Sequence, residues 1–201
     1  SRIAFAHAGD LWVASSEGGV AARVTSHPSE DHSPSFSPDG ESLAFFSERT
    51  GGGNIYIASL NGGGPPRRVT HHGGSPPPVA WAPDGAWLYF TSHDTGLGGA
   101  VSKVAVTGGP TIRLAHDPME SHYNAAVSPD GAWIAFNNNG HQWWRHGPNP
   151  AGHSDIWVMA EGAGADDFRR LTAFLGHNVR PMWGEGGESI YYVSDRGGEE
   201  N

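Results

Sequence analysis

Apolar residues in this chain come in short runs of three to five, and the same order of runs returns several times. Leu43-Ala44-Phe45-Phe46 is followed by Ile55-Tyr56-Ile57-Ala58, then Gly62-Gly63-Gly64, then Arg67-Arg68-Val69-Thr70. Before it stand Ile3-Ala4-Phe5, Leu11-Trp12-Val13-Ala14, Gly18-Gly19 and Arg23-Val24-Thr25, in the same order. After it come Leu88-Tyr89-Phe90, Val101-Ser102-Lys103-Val104-Ala105, Gly108-Gly109 and Ile112-Arg113-Leu114-Ala115. A further round is Ile134-Ala135-Phe136, Ile156-Trp157-Val158-Met159, Gly162 and Arg169-Arg170-Leu171-Thr172, and Ile190-Tyr191-Tyr192-Val193 opens the next. Alternation by two over runs this short predicts strands with one side chain in and the next out. No window of ten or more residues carries a helical period, so the fold class is all-β.

From the second round on, the run that opens each round follows a turn. The turns are Phe36-Ser37-Pro38-Asp39-Gly40, Trp81-Ala82-Pro83-Asp84-Gly85, Val127-Ser128-Pro129-Asp130-Gly131 and a degenerate Trp183-Gly184-Glu185-Gly186-Gly187. Proline presets the first central backbone angle, Asp or Ser bonds the turn locally, and glycine takes the strained position. The last glycines are 45, 46 and 56 residues apart. A period near 45 with four short strands per unit predicts β-propeller blades of four antiparallel strands, a to d from the inside outwards. Residues 1–201 then form one incomplete propeller, with blades at roughly 1–25, 33–70, 78–115, 124–172 and 180–201. That makes about four blades and a partial fifth. Blade one lacks its inner strand and blade five its outer ones, so the chain reads as an excerpt of a longer protein. Open edges of this kind invite association unless the ring closes or a partner caps it, and a homo-oligomer fits.

The Pro-Asp-Gly and Gly-Gly turns share one face of such a propeller. The longer b-to-c and d-to-a loops share the other, where binding is expected. The extra length of the fourth round falls in its b-to-c loop, residues 137–154, with Gln142-Trp143-Trp144-Arg145 and Gly147-Pro148-Asn149-Pro150. Trp143 and Trp144 either close over an edge of the core or form a docking platform, since Trp and Arg are enriched at interface hot spots. Replacing both by Ala separates the two: a collapse in stability means core, a loss of engagement means platform.

Net charge is −9, and Arg67-Arg68 and Arg169-Arg170 are the densest basic stretches, which argues against nucleic acid as a partner. No apolar run is long enough to span a membrane. There is no Cys, which excludes disulfides and thiolate chemistry and suits the cytoplasm and a disulfide-free periplasmic protein alike. Histidine occurs 12 times, and His27, His71-His72, His116 and His177 fall in comparable d-to-a loops, with His32 and His122 later in such loops. This predicts either a ring of imidazoles near the central channel or one ancestral loop residue copied per blade. His141, His146 and His153 fit no helix or strand face, no metal-ligand spacing is present, and no metal or cofactor is expected. Gly-x-Ser-x-Gly, a phosphate-cradling loop ending in Lys and His-Glu-x-x-His are all missing, so no catalytic residue is assigned.

The unit Pro34-Ser35-Phe36-Ser37-Pro38-Asp39-Gly40, Leu43-Ala44-Phe45, Ile55-Tyr56, Gly62-Gly63 and Arg67-Arg68-Val69-Thr70 resembles the WD40-like repeats of TolB. Such repeats also build the propellers of prolyl-oligopeptidase-type peptidases and of the tricorn protease family. Two stretches look like the tricorn family in particular. One is Ile3-Ala4-Phe5, Gly9-Asp10-Leu11-Trp12 and Arg23-Val24-Thr25-Ser26-His27-Pro28. The other is Trp144-Arg145, Ser154-Asp155-Ile156-Trp157-Val158-Met159, Phe168-Arg169-Arg170-Leu171-Thr172 and Arg180-Pro181-Met182-Trp183, continued by Ile190 to Arg196. The Gly184-Glu185-Gly186-Gly187 turn and the loosened third round depart from the pattern. The resemblance implies a non-catalytic, cytoplasmic propeller that binds or gates peptide substrates, partnered by a C-terminal catalytic region of the parent serine protease. Under that reading the residues for peptide or partner binding are Asp31, His32, His122, Tyr123, Trp143, Trp144, Arg145, Asn178 and Arg180. They would act through polar contacts, aromatic packing and charge. The alternatives are a TolB-like, periplasmic protein-interaction module without protease activity and the propeller of a prolyl-oligopeptidase-type peptidase.

Overall fold

The structure is a computed structural model that describes residues 1–62, 64–71, 79–93, 99–115, 120–140, 153–164, 167–173 and 176–196. Its strands form five separate antiparallel sheets in chain order. Blade one is β1 (Arg2–His7), β2 (Asp10–Ser15) and β3 (Ala22–Arg23). Blade two is β4 (Asp31–Phe36), β5 (Ser42–Ser47), β6 (Asn54–Ser59) and β7 (Arg67–Arg68). Blade three is β8 (Ala80–Trp81), β9 (Trp87–Ser92), β10 (Ala100–Ala105) and β11 (Ile112–Ala115). Blade four is β12 (Glu120–Val127), β13 (Trp133–Gly140), β14 (Ser154–Ala160) and β15 (Phe168–Arg170). Blade five is the pair β16 (Asn178–Trp183) and β17 (Ile190–Ser194). Within each sheet every strand pairs with the next in sequence, the up-and-down order of a propeller blade. Among the described residues no helix is long and apolar enough to cross a membrane.

The b strands of blades two, three and four are buried on both faces, as a sheet between two neighbouring sheets must be, whereas β1 and β17, the b strands of the end blades, are exposed or only half-buried. Leu43, Ala44 and Phe45 of β5 are fully covered, as are Leu88 of β9 and Ile134, Ala135 and Phe136 of β13. Phe45, Phe90 and Phe136 each contribute roughly 1.5–3 kcal/mol by leaving water. These residues belong to clusters that bridge blades: Ala44, Ile55 and Val69 of blade two pack with Leu88, Phe90 and Val104 of blade three.

The turns behave as their residues dictate. Ser37 Oγ donates to Asp39 Oδ1 (2.5 Å), the Glu41 amide donates to the same oxygen (2.9 Å), and the Ser42 amide donates to Ser37 Oγ (2.9 Å). Ser128, Asp130, Ala132 and Trp133 repeat this in blade four. Gly40, Gly85, Gly131 and Gly187 all have φ between 70° and 74°, including the glycine of the degenerate turn. A Cβ at Gly131 or Gly187 would lie 3.7 or 3.5 Å from the proline of the preceding blade's turn, so the turns stack around the ring. The Ser37 hydroxyl and then the Glu41 amide hold the Asp39 carboxyl below its ordinary value, and Ser128 and the Ala132 amide do the same for Asp130.

A depressed native pKa stabilises the fold fully above the unfolded-state value of about 3.9, and the contribution fades as pH falls through the native one. The variant Asp39→Asn/Asp130→Asn should therefore melt below the wild type at pH 7, and the gap should close as the pH is lowered towards 3. A gap that stays constant with pH would show that the two carboxylates do not support the turns.

The short d strands are fastened by side chains. In blade two the Ile55 amide donates to Thr70 Oγ1 (2.9 Å), which donates to Asn54 Oδ1 (3.3 Å), while Arg68 Nε donates to the Thr70 carbonyl (2.7 Å). Ile156, Thr172, Asp155 and Arg170 make the same clamp in blade four, and Leu11, Thr25, Asp10 and Arg23 make a related one in blade one. Blade three has Ala100 and Ala115 in the clamp positions. Its d strand is longer instead, and pairs Ile112, Arg113 and Ala115 with Lys103, Ser102 and Val101. Backbone ladder thus replaces the side-chain clamp. Blade three is also tied to blade four by Lys103 and Tyr89, which both bond Glu161. Burial and then the Glu161 carboxylate push the Tyr89 phenol well above its ordinary value, so it remains a neutral donor to that carboxylate.

Candidate functional site

The inner strands β4, β8, β12 and β16 come together around a cavity of about 700 Å³. Three of them share one irregularity. Pairing shifts between His32 and Ser35 in β4, between Tyr123 and Ala126 in β12, and between Val179 and Met182 in β16. At that step Ser33, Asn124 and Arg180 take φ of 55°, 55° and 54°, the left-handed region. Asn tolerates this conformation, whereas for Ser and Arg it costs roughly 1–2 kcal/mol each. A bulge re-aims a side chain, and Ser33, Asn124 and Arg180 all line the cavity. The rest of the wall is largely apolar, with Pro34, Trp81, Pro181 and Met182 prominent.

The wall is braced between blades. Trp81 Nε1 donates to the Ser35 carbonyl of the preceding inner strand (3.0 Å), and Trp183 Nε1 donates to the Ala126 carbonyl in the same way (3.0 Å). A further depression of about 480 Å³ lies between blade four and the fifth sheet, against Ile156, Leu171, Ile190 and Tyr192. It continues the inter-blade core and also meets Arg169, Thr172 and Glu188.

The sequence-derived candidates divide into three groups. Arg180 lines the channel, is exposed, and has no hydrogen-bond or ion-pair partner among the described residues. His32 and Tyr123 occupy equivalent, half-buried positions just before the bulges. The His32 ring lies 4.8 Å from that of Phe46, with Nδ1 3.0 Å from Ser33 Oγ, and the Tyr123 ring lies 5.8 Å from that of His93.

Asp31, His122 and Asn178 occupy one equivalent position and are 1%, 0% and 1% exposed. Arg49 Nη2 donates to both carboxylate oxygens of Asp31 (2.7 and 2.6 Å), and its guanidinium lies over the Phe45 and Tyr56 rings. His122 packs edge-on against Phe136 and Phe168. Asn178 Oδ1 accepts from Ser194 Oγ (2.8 Å), and its carbonyl accepts from Ser154 Oγ (3.1 Å). These three side chains hold the loop-rich end of the inner strands together from inside.

Trp143, Trp144 and Arg145 lie outside the described residues. Among the described residues no group of three or more His, Asp or Glu could hold a metal ion, and no histidine is among those lining the cavity. The position of His122 in β12 is filled by Asp31 in β4 and by Asn178 in β16, so histidine does not repeat there from blade to blade. Sequence reasoning passed over Ser33, Asn124, Trp81 and Met182. The signal was present in Ser33-Pro34 and Arg180-Pro181, where a polar residue precedes proline two positions after Asp31 and Asn178.

Five antiparallel sheets in chain order, four of them with an inner strand around one cavity, define a β-propeller. The chain belongs to the family of the tricorn protease N-terminal β-propeller domain, whose model matches residues 1–201. A solved TolB structure from Agrobacterium tumefaciens is similar, with 25% identity and a TM-score of 0.72 over 90% of this chain and 60% of that one. TolB from Acinetobacter baumannii matches at 23% identity and a TM-score of 0.73, over 96% of this chain and 46% of that one. The tricorn protease structure matches at 19% identity and a TM-score of 0.69, over 98% of this chain and 20% of that one. The chain therefore spans less than two thirds of each of these proteins. No curated protein sequence matches it.

Proposed function

We propose that this propeller is the non-catalytic, substrate-handling part of a tricorn-like serine peptidase, and that it receives unfolded peptide in its channel. The observation that carries this is the cavity of about 700 Å³ whose wall is turned inward by bulges at Ser33, Asn124 and Arg180. Apolar walls with a few convergent polar groups suit an extended chain, because side chains find apolar contact and the backbone finds donors. The family to which residues 1–201 belong supports a peptidase as the parent. In this reading bond cleavage takes place in a catalytic region outside residues 1–201, and the protein works in the cytoplasm.

A labelled, unstructured decapeptide tests the channel by fluorescence anisotropy. Met182 lines the cavity and is 57% exposed, so Met182→Trp narrows the channel with little effect on the core. The peptide should bind the wild type, and the variant should bind it at least about tenfold more weakly, the equivalent of 1.4 kcal/mol. Absence of binding, or binding indifferent to the substitution, would remove the channel from the account.

A second reading is a TolB-like module that docks a folded protein. It is favoured by the 25% identity to the Agrobacterium TolB, against 19% to tricorn protease. It predicts that unstructured peptides fail to bind and places the protein in the periplasm.

A further inference from the structure

We propose that Asn61 is a site of spontaneous covalent modification, converted to aspartyl and isoaspartyl forms through a cyclic imide that the Gly62 amide closes. The inference is independent of what the channel holds. Asn61-Gly62 lies in the turn between β6 and β7, and both residues are exposed. Ring closure needs a free side-chain amide, an unengaged backbone nitrogen and a chain able to turn. Among the described residues the Asn61 side chain has no hydrogen-bond partner, and only its backbone amide is engaged, donating to Ser59 Oγ (3.4 Å). In the corresponding turns of blades one, three and four, the Gly18, Gly108 and Ala163 amides donate to the Ser15, Ala105 and Ala160 carbonyls (3.1, 2.8 and 3.1 Å). The Gly62 amide makes no such bond among the described residues, so its nitrogen is available. Gly62 has φ 91°, and no atom lies within 4 Å of the place a Cβ would take, so nothing crowds the turn.

The other Asn-Gly pair of the chain, Asn139-Gly140, supplies the contrast. Asn139 stands opposite Ser121 of β12 and Ser154 of β14, so a ladder on both sides keeps its backbone extended and withholds the turn that ring closure requires. The Asp-Gly pairs at Asp39, Asp84 and Asp130 carry carboxylates, whose anionic form resists attack by an amide. At Asn61 the Gly62 nitrogen attacks Cγ, the N–Cγ bond forms, and the Cγ–Nδ2 bond breaks. Nδ2 leaves as ammonia with the proton that the Gly62 amide gives up. Water then opens the ring at one of its two carbonyl carbons, and the proton returns to the Gly62 nitrogen. Attack at Cγ gives aspartate. Attack at the backbone carbonyl gives isoaspartate, whose main chain runs through the side-chain methylene. Either product adds a negative charge to a chain that carries −9, and the second lengthens the hairpin next to Leu60, whose amide donates to the Glu41 carbonyl (2.8 Å).

The natural, full-length protein tests this when it is held folded at mildly alkaline pH and mapped as peptides at intervals by mass spectrometry. The Asn61 peptide should take on the mass of the acid, split into two chromatographic forms, and convert at least about tenfold faster than the Asn139 peptide. The isoaspartyl form should accept a labelled methyl group from S-adenosylmethionine when an isoaspartyl methyltransferase is added, because that enzyme esterifies the freed α-carboxylate. In urea the two sites should convert at similar rates, since unfolding removes the ladder around Asn139. Asn61→Gln should abolish the methyl label on that peptide at an unchanged melting temperature. Asn61 converting no faster than Asn139 in the folded protein, or at least about tenfold more slowly than in urea, would overturn the site. Conversion at Asn61 that yields no methyl acceptor would overturn the imide route.

Discussion

Replacing Arg49 by Ala should lower the unfolding free energy by about 3–5 kcal/mol, because it strands the Asp31 carboxylate in the core. The Asp31 side chain is 0% exposed and that of Arg49 12%, so water cannot take over the lost partner without opening the blade. The guanidinium also lies against two aromatic rings that stack on each other, 5.3 Å from the Phe45 centroid and 4.9 Å from that of Tyr56. Its loss therefore removes packing as well as charge. Urea unfolding measures the effect as a fall in midpoint at an unchanged slope. Removing both charges in Asp31→Leu/Arg49→Met should recover most of the loss, since a buried pair replaced by apolar side chains is often neutral. A single variant within 1 kcal/mol of the wild type would mean that Asp31 finds water or another donor, contrary to the packing described.

Gly53→Ala should be the other severe change, of roughly 2–3 kcal/mol, by overpacking. Gly53 lies in the b-to-c loop of blade two, and a Cβ there would lie 1.7 Å from Cζ of Phe46. Phe46 is 7% exposed and carries the His32 ring against it. The ring rests against His32, beside the Ser33 bulge in the channel wall, so a shift of Phe46 displaces that side chain. The variant should therefore lose peptide affinity as well as stability. The relieving double variant Gly53→Ala/Phe46→Leu should fold better than Gly53→Ala alone. If it does not, the clash is not the cause. The backbone of Gly53 lies outside the positive-φ region, so this effect is steric and not conformational.

Much of the fold was legible in the sequence because it is local. The Pro-Asp-Gly turns and the alternation in Leu43-Ala44-Phe45 or Ile134-Ala135-Phe136 encode hairpins whose partners are neighbours in the chain, and the period gives the number of sheets. The starts of the inner strands were less visible. Asp31 and Glu120 lie in strands although proline or asparagine interrupts the alternation, because a bulge absorbs the irregular residue and pairing resumes beyond it. The clamp by Asp155, Arg170 and Thr172 was present as a repeated Arg-x-Thr and is explained only by the backbone amide it satisfies.

The candidate site was legible in part. Arg180 was picked out for its loop-rich position, and the structure places it in the channel. Asp31, His122 and Asn178 were chosen for polarity, which does not tell a binding residue from one that is buried and bonded inward. Only the direction of each side chain across the bulge separates the two, and direction is set by tertiary packing.

The central claim, a substrate-handling propeller of a serine peptidase, is tested most directly on the natural protein with a fluorophosphonate probe that labels activated serines. Intact mass and peptide mapping then locate the label. The account predicts a chain heavier than 21.3 kDa with one modified serine outside the segment described here. A label within Ser1–Asn201, or a natural protein that takes up no label while remaining folded, would contradict it.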